Sequence, residues 1–375
     1  MRVKDICNLQ NGRAFKQSDW GSEGVPIIRI QNLNNESAPF NYYVGEYDSV
    51  HEIDNGELLF SWSGTPGTSF GAFRWYRGKG VLNQHIFKVI PKIEVNKDYL
   101  KYALNGNIQT IIAKAHGGVG LQHITKKELE EIDIPIIPLK EQTEIVDRIV
   151  QVERIIFMRK QELKKLDNLI KARFVEMFGH QSHNEKGLPY LTIDDVAEIY
   201  LGITHTPTYV NQGVMFISAK NTSGDFLDLS DVKYISREEF EKAPKGSKPQ
   251  VNDILFSRVG SNLGHPVILE EDLELCTFVS LGFLRTKGKV TSNYLKHWMR
   301  DDFFSNQVKE HVKGGGQPNL NTGWLKEFKI IVPNIELQKV FDKFCRQVDK
   351  SKAAVQKALD ETQLLFDSLM QEYFG

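Results

Sequence analysis

The 375-residue chain is poor in cysteine, nearly neutral, and has no long apolar run. Its three cysteines, Cys7, Cys276 and Cys345, are too scattered for a disulfide framework or a metal-ligand spacing, so a reducing cytoplasm is the expected compartment. His180 and His183 lie in a polar stretch without further ligand-type residues nearby, and no metal is expected there. No apolar stretch approaches the roughly 20 residues that span a bilayer, and MRVKDICNLQ lacks the apolar core of a signal peptide. No membrane partner is expected. A formal net charge of −1 argues against indiscriminate coating of nucleic acid, but allows a reader with local basic surfaces.

Catalytic signatures are missing too. GKG at 78–80 lacks the upstream glycine and the hydroxyl residue of a phosphate loop. No (N/D/S)PP(Y/F), HExxH or GxSxG motif is present, nor a nuclease-like carboxylate–lysine grouping. Without a nucleophile or base paired to an orienting group, the chain is expected to be non-catalytic and to carry no cofactor of its own.

What the chain does contain, it contains twice. LLFSWSG at 58–64 returns as ILFSRVG at 254–260, and HGGVGLQHI at 116–124 as VKGGGQPNL at 312–320. Phe60 and Phe256, Gly118 and Gly314, Gln142 and Gln338, and Gly179 and Gly375 all stand 196 positions apart. A repeat this long exceeds the roughly 20–50 residues of a solenoid unit and implies two whole domains, each followed by a helix. Within each half, short β-prone runs alternate with glycine and polar turns: 25–33, 57–63 and 85–91, then 214–221, 253–259 and 278–285. Helical stretches follow at 98–106 and 293–303. The fold class is α+β, with two β-rich α/β domains.

The runs opening at Gln142 and Gln338 contain neither proline nor internal glycine up to Phe178 and Phe374. Apolar residues recur at Ile145, Ile149, Val152, Ile156, Leu163, Leu166, Ile170 and Met177, and at Phe341, Phe344, Val348, Val355, Leu359, Phe366 and Leu369. That period of about 3.5 is a coiled-coil seam. The expected pairing is between the two copies, antiparallel, with the domains in a pseudo-twofold arrangement separated by the two-helix coiled coil. Two inverted readers on such a spacer match the local dyad of B-DNA. Arg159 and Arg173 fall on the seam and either snorkel from it or face a partner. Val146, Phe157, Phe174 and Phe178 lie beside it, to dock a partner or cap the domains.

VPIIRIQNLN with GELLFSWSG, VMFISAKNTSG with NDILFSRVGSNLG, the glycine loops, IPIIPLKEQTEIV, IIVPNIELQKVF and the repeated helices together carry a resemblance. Over essentially its whole length the chain resembles the specificity subunit of type I restriction–modification enzymes. The resemblance implies target-recognition domains at 1–138 and 180–335 and long helices of the structurally constant regions at 139–179 and 336–375. It implies that each domain reads half of a bipartite sequence in double-stranded DNA. The helices would dock two adenine-N6 methyltransferase subunits, joined by restriction/translocase subunits. S-adenosylmethionine, ATP and Mg would belong to those partners. The halves differ, with Trp62 opposite Arg258 and Arg29 opposite Ser218, so the expected site is asymmetric.

Loops after strands present binding groups. In half one these are Ser61, Trp62, Ser63 and Thr65; in half two, Ser257, Arg258, Ser261 and Asn262. Arg258 either pairs bidentately with guanine or is a solvated hairpin arginine. Arg29, Gln31 and Asn32 correspond to Lys220 and Asn221 at strand ends; amides suit adenine, but also form turns. The glycine loops carry His116, Gln122 and His123, and Lys313, Gln317 and Asn319, as phosphate nests or as loops needing positive φ. Arg74, Trp75, Tyr76, Arg77 and Lys79 form a basic–aromatic cluster, either groove-facing or an exposed edge hairpin. Lys242, Lys245 and Lys248 read as a mobile basic loop touching the DNA backbone. Two rivals stay open: a scaffold of two protein-binding modules, and the recognition subunit of another multi-subunit restriction class.

Overall fold

The tetrads LLFS and ILFS form central strands, Leu58–Ser61 and Ile254–Ser257, buried along their whole length. The structure is a computed structural model describing residues 1–65, 68–118, 121–260, 262–312 and 318–375. It divides into one unit of Met1–Lys160 with Lys357–Gly375 and another of Gln161–Gln356. In the first, Leu58–Ser61 lies between Ile86–Pro91 and Gly71–Arg74, with Cys7–Asn11 beyond, all antiparallel. In the second, Ile254–Ser257 lies between Leu281–Thr286 and Pro266–Ile268, with Ala197–Leu201 beyond.

Alternate residues of a strand face opposite sides, and here both sides are dry. Leu58 and Phe60 pack with Tyr99, Leu100 and Ala103 of the Lys97–Gly106 helix, while Leu59 joins Ile28, Ile53 and Trp75. Ile254 and Phe256 face Tyr294 and Trp298, whereas Leu255 packs with Ile217 and Leu275. Burial on both faces needs a continuous apolar run, so these tetrads show no alternation.

A second sheet supplies the other dry face. Val25–Ile28 pairs antiparallel with Asn41–Tyr43 and parallel with Gly80–Leu82. Val214–Ile217 pairs antiparallel with Lys233–Ile235 and parallel with Leu275–Thr277. The strands expected through 25–33 and 214–221 therefore stop early, giving way to the short helix Ile30–Asn34 and the 3-10 turn Ala219–Thr222. Asn32 Oδ1 accepts the Arg29 N–H and Asn221 Oδ1 the Ser218 N–H, both at 3.0 Å. Such a side-chain acceptor competes with the ladder for the backbone donor and turns the chain. The helix expected over 293–303 is likewise broken: Ser292–Met299 ends, and Asp301 caps a new helix, Asp302–His311, through the Phe303 N–H. Lys242 ends a helix capped by Ser236, Arg237–Lys242, and a 3-10 turn at Lys245–Ser247 follows, rather than an open loop.

Leu139–Phe178 and Ile335–Phe374 are helices of 40 residues each, or about 60 Å at 1.5 Å per residue. In the first unit Arg148 donates to the Tyr373 hydroxyl at 3.1 Å, and Arg159 to the Ala358 carbonyl and Thr362 hydroxyl. In the second, Lys352 bonds Asp167 at 2.5 Å, and the Phe174 and Phe178 rings lie 5.5 and 5.4 Å from Phe341. In each unit the two helical segments run antiparallel. The seam is buried at Ile149, Val152, Ile156, Ile170 and Met177, and at Phe341, Val348 and Leu359. Its second stripe also buries Lys352 and Thr362, which serve as polar partners for Asp167 and Arg159. Arg173 pairs with Glu176 at 2.8 Å. Val146, Phe174 and Phe178 join the unit cores, whereas Phe157 is 60% exposed. No helix among the described residues is long and apolar enough to cross a membrane.

Candidate nucleic-acid interface

In half one the strand Ser63–Gly64 adds to a hairpin, His116–Gly118 with Leu121–His123, setting Ser63 opposite His123 and Gly64 opposite Gln122. Two candidate loops distant in sequence thus become one surface. The Ser61 hydroxyl donates to the Ser63 carbonyl at 3.1 Å. Trp62 donates its backbone N–H to His85 O at 3.2 Å and its indole N–H to Gln84 O at 3.0 Å, with its ring 5.1 Å from the His85 ring. Half two repeats the device with other side chains. Ser257 donates to Val259 O at 3.1 Å, and the Arg258 N–H to Ser280 O at 2.9 Å. The Arg258 guanidinium donates to Val279 O at 3.0 Å and to Leu320 O at 3.3 Å. Val259 bridges Asn319. Gly64 and Gly260 hold φ of +145° and +93°, conformations that side-chain-bearing residues rarely adopt.

Trp62 and Arg258 therefore occupy the same niche, each pinned to the segment that follows the parallel strand. Burial lowers the pKa of both Arg258 and His85. His116 pairs with Glu128 at 2.7 Å. The Thr125 hydroxyl and N–H, together with His116, hold the Glu128 carboxyl down at about 2.

The asparagine turns lie beside these loops. Asn83 donates its backbone N–H to Ile28 O, next to Arg29, while His85 O receives Trp62; Phe278 and Ser280 do the same for Ile217 and Arg258. Arg29 stacks on Trp20 at 4.4 Å and donates to Asn41 at 3.0 Å. Asn32 is 2% exposed and donates to the Ala38 and Pro39 carbonyls; Asn221, equally buried, donates to those of Asp228 and Asp231. Arg77 donates to the carbonyls of Asn32, Asn35 and Ala38 and stacks on Phe40 at 4.2 Å, locking the turn. Arg74 is tied to Asp98 at 2.9 Å and Trp75 is buried. That leaves Tyr76 and Lys79 as the exposed members of the cluster, Lys79 lying 3.4 Å from Glu52.

The candidates thus sort by exposure. Gln31, Thr65, Lys79, His116, His123, Lys220, Asn262 and Asn319 are exposed; Arg29, Trp62, Ser63, Arg74, Arg77, Gln122 and Arg258 are half-buried. Ser61, Asn32, Asn221 and Ser257 are buried. Ser261, Lys313 and Gln317 lie outside the described residues. Gln84, His85, Val279 and Ser280, which seat Trp62 and Arg258, were missed. In sequence they are only the approach to an apolar strand. Among the described residues no group of three or more His, Cys, Asp or Glu is placed to hold a metal.

The type I restriction modification DNA specificity domain matches residues 1–168 and again 185–362. The chain belongs to that family. It is similar to the EcoBI specificity subunit of Escherichia coli, 23% identical over 408 residues, covering 99% of this chain and 84% of that protein. The MjaVIII specificity subunit of Methanocaldococcus jannaschii is 21% identical over 332 residues, covering 82% and 77%. Among solved structures, the S subunit of a type I system from M. genitalium superposes with a TM-score of 0.58 at 15% identity, covering 100% of this chain and 95% of that one. A chain from a study of type I complex assembly and conformational transition gives 0.57 at 17% identity, covering 100% and 96%. Both establish the fold: helices and sheets built as paired specificity domains with long helices.

Proposed function

We propose that the chain is the non-catalytic DNA-reading subunit of a type I restriction–modification complex. Each domain reads one half of an asymmetric, gapped sequence in double-stranded DNA. The observation that carries this is the doubled loop framework with unlike contents: Trp62 followed by the Ser63–His123 pair in one half, Arg258 followed by the Val259–Asn319 bridge in the other. One scaffold with different side chains suits one mode of binding to two different base sequences. The exposed groups, Gln31, Thr65, Lys79, His116 and His123 with Lys220, Asn262 and Asn319, make the contacts. The buried Ser61, Asn32, Ser257 and Asn221, and the pinned Trp62 and Arg258, set the loop shapes from below. Rigid second-layer support of this kind keeps contact groups in register with base edges.

Two methyltransferase subunits dock on the long helices and recruit the restriction subunit. Exposed apolar side chains support a docking role: Phe157 is 60%, Met158 50%, Leu364 69% and Leu365 51% exposed. Coexpression with the cognate methyltransferase, followed by single-molecule mapping of modified adenines, tests the whole reading. A gapped motif with two different halves is expected. A palindromic motif, or methylation indifferent to this chain, overturns it.

A further inference from the structure

Both units carry a lysine at the same place in the repeat, on the helix that backs the central sheet, half-buried at Lys101 and buried at Lys296, and both lysines line a cleft. In the first unit Lys101 has company: its ammonium lies 3.8 Å from the centre of the Tyr102 ring, whose hydroxyl donates to Glu153 at 2.5 Å. In the second unit Tyr102 is replaced by His297, and Lys296, only 6% exposed, has no hydrogen bond or ion pair among the described residues. Its cleft of about 350 Å³ falls within the range of small-molecule sites, roughly 300–1,000 Å³.

The other charges lining this cleft are mostly spoken for. Lys352 bridges Asp167 and Asp225 at 2.5 and 3.0 Å, and Arg300 also holds Asp225 at 3.0 Å. Among the described residues, the unpaired remainder is Lys296 and the exposed Lys171 against a single carboxylate, Asp349. In addition, Arg300 Nε is buried without an acceptor among the described residues. A buried ammonium and an orphaned guanidinium N–H are costly unless an acceptor arrives, and the surplus is of one kind: positive donors lacking an anion.

We propose that this cleft is a binding site for a small phosphate-class oxyanion, held by Lys296 and Arg300 with Lys171 alongside. It belongs to the second unit alone and does not rest on the DNA-reading role. The oxyanion comes either from a free phosphorylated ligand or from a backbone phosphate of DNA, which share this chemistry.

The test is calorimetric titration of the full chain with inorganic phosphate against chloride at matched ionic strength. Saturable binding is expected, weakened about tenfold or more in Lys296→Met, since a charge-assisted hydrogen bond is lost, and unchanged in Lys101→Met. Because Lys296→Met removes an uncompensated buried charge at similar volume, its phosphate-free melting temperature should equal or exceed the parent's, which separates loss of the site from loss of the fold. Displacement of phosphate by a short duplex assigns the anion to DNA; its retention assigns a free ligand, and either supports the oxyanion site. Absence of phosphate binding, or binding indifferent to Lys296→Met, overturns it.

Discussion

Gln142 and Gln338, 196 positions apart, are 1% and 0% exposed at the roots of the long helices. Gln142 Oε1 accepts the Asn96 N–H at 2.9 Å and its Nε2 donates to Ile137 O at 2.8 Å. Gln338 accepts the Thr291 N–H at 2.9 Å and donates to Pro333 O at 2.9 Å and Lys289 O at 3.2 Å. Asn96 and Thr291 are the N-caps of the helices that back each sheet, so one amide ties that helix to the long one. Gln338→Leu keeps the volume but strands a buried N–H and at least one carbonyl. At about 1–3 kcal/mol for each orphaned group, partly offset by the apolar side chain, the expected loss is about 2–4 kcal/mol. With two units, a single unfolding curve is a poor gauge, so amide exchange read residue by residue is the assay. The Thr291 amide should exchange on the order of a hundredfold faster, equivalent to about 2.7 kcal/mol, with Asn96 unaffected; Gln142→Leu should give the mirror result. Undiminished Thr291 protection in Gln338→Leu would refute the idea that this amide is the lock.

Three shorter predictions follow from other contacts. Leu169 and Leu365 occupy equivalent places in the repeat and are 47% and 51% exposed; two copies of one methyltransferase, docked as proposed above, would need the same group twice. Leu169→Asp or Leu365→Asp should therefore each remove one methyltransferase from the complex, by native mass spectrometry, while leaving the isolated chain folded. Burial alone would raise the Asp225 pKa, yet Arg300 and Lys352 outweigh it and hold the carboxyl down at about 2, below its ordinary 3.8. Its contribution is thus complete above about pH 4 and lost as pH falls through about 2. Discounted for its partial exposure, Asp225→Asn should cost about 1–2 kcal/mol at neutral pH, and parent and variant should converge in denaturant midpoint towards pH 2. Lys220 and Asn221 are neighbours with opposite fates: Asn221→Ala should lose about 2–3 kcal/mol of stability through its stranded backbone partners. Lys220→Ala should change stability by less than about 1 kcal/mol, while weakening DNA binding uniformly and lowering its salt slope by about one.

How much of this was legible in the sequence depended on how far each residue's partner lies along the chain. The 196-residue offset and the seam of the long helices are periodic, and periodicity survives without knowledge of partners. Leu58–Ser61 and Ile254–Ser257 were readable because burial on both faces leaves an unbroken apolar run. Asn32 and Asn221 were ambiguous for the opposite reason: an amide that reads adenine and one that closes a turn are the same residue type. Only the carbonyls of Ala38, Pro39, Asp228 and Asp231 show where these two spend their donors.

Arg258 makes the point most sharply, because its partners, Val279 O and Leu320 O, are backbone groups that carry no sequence signal. Divergence between the halves supplies what single positions lack. Ser61 and Ser257 keep the same bond in both copies, and Gln142 and Gln338 keep two, so they answer to the scaffold. Trp62 and Arg258 differ while seated in the same niche. A framework held constant beneath changing contents is what selection for two different target sequences on one fold would leave behind.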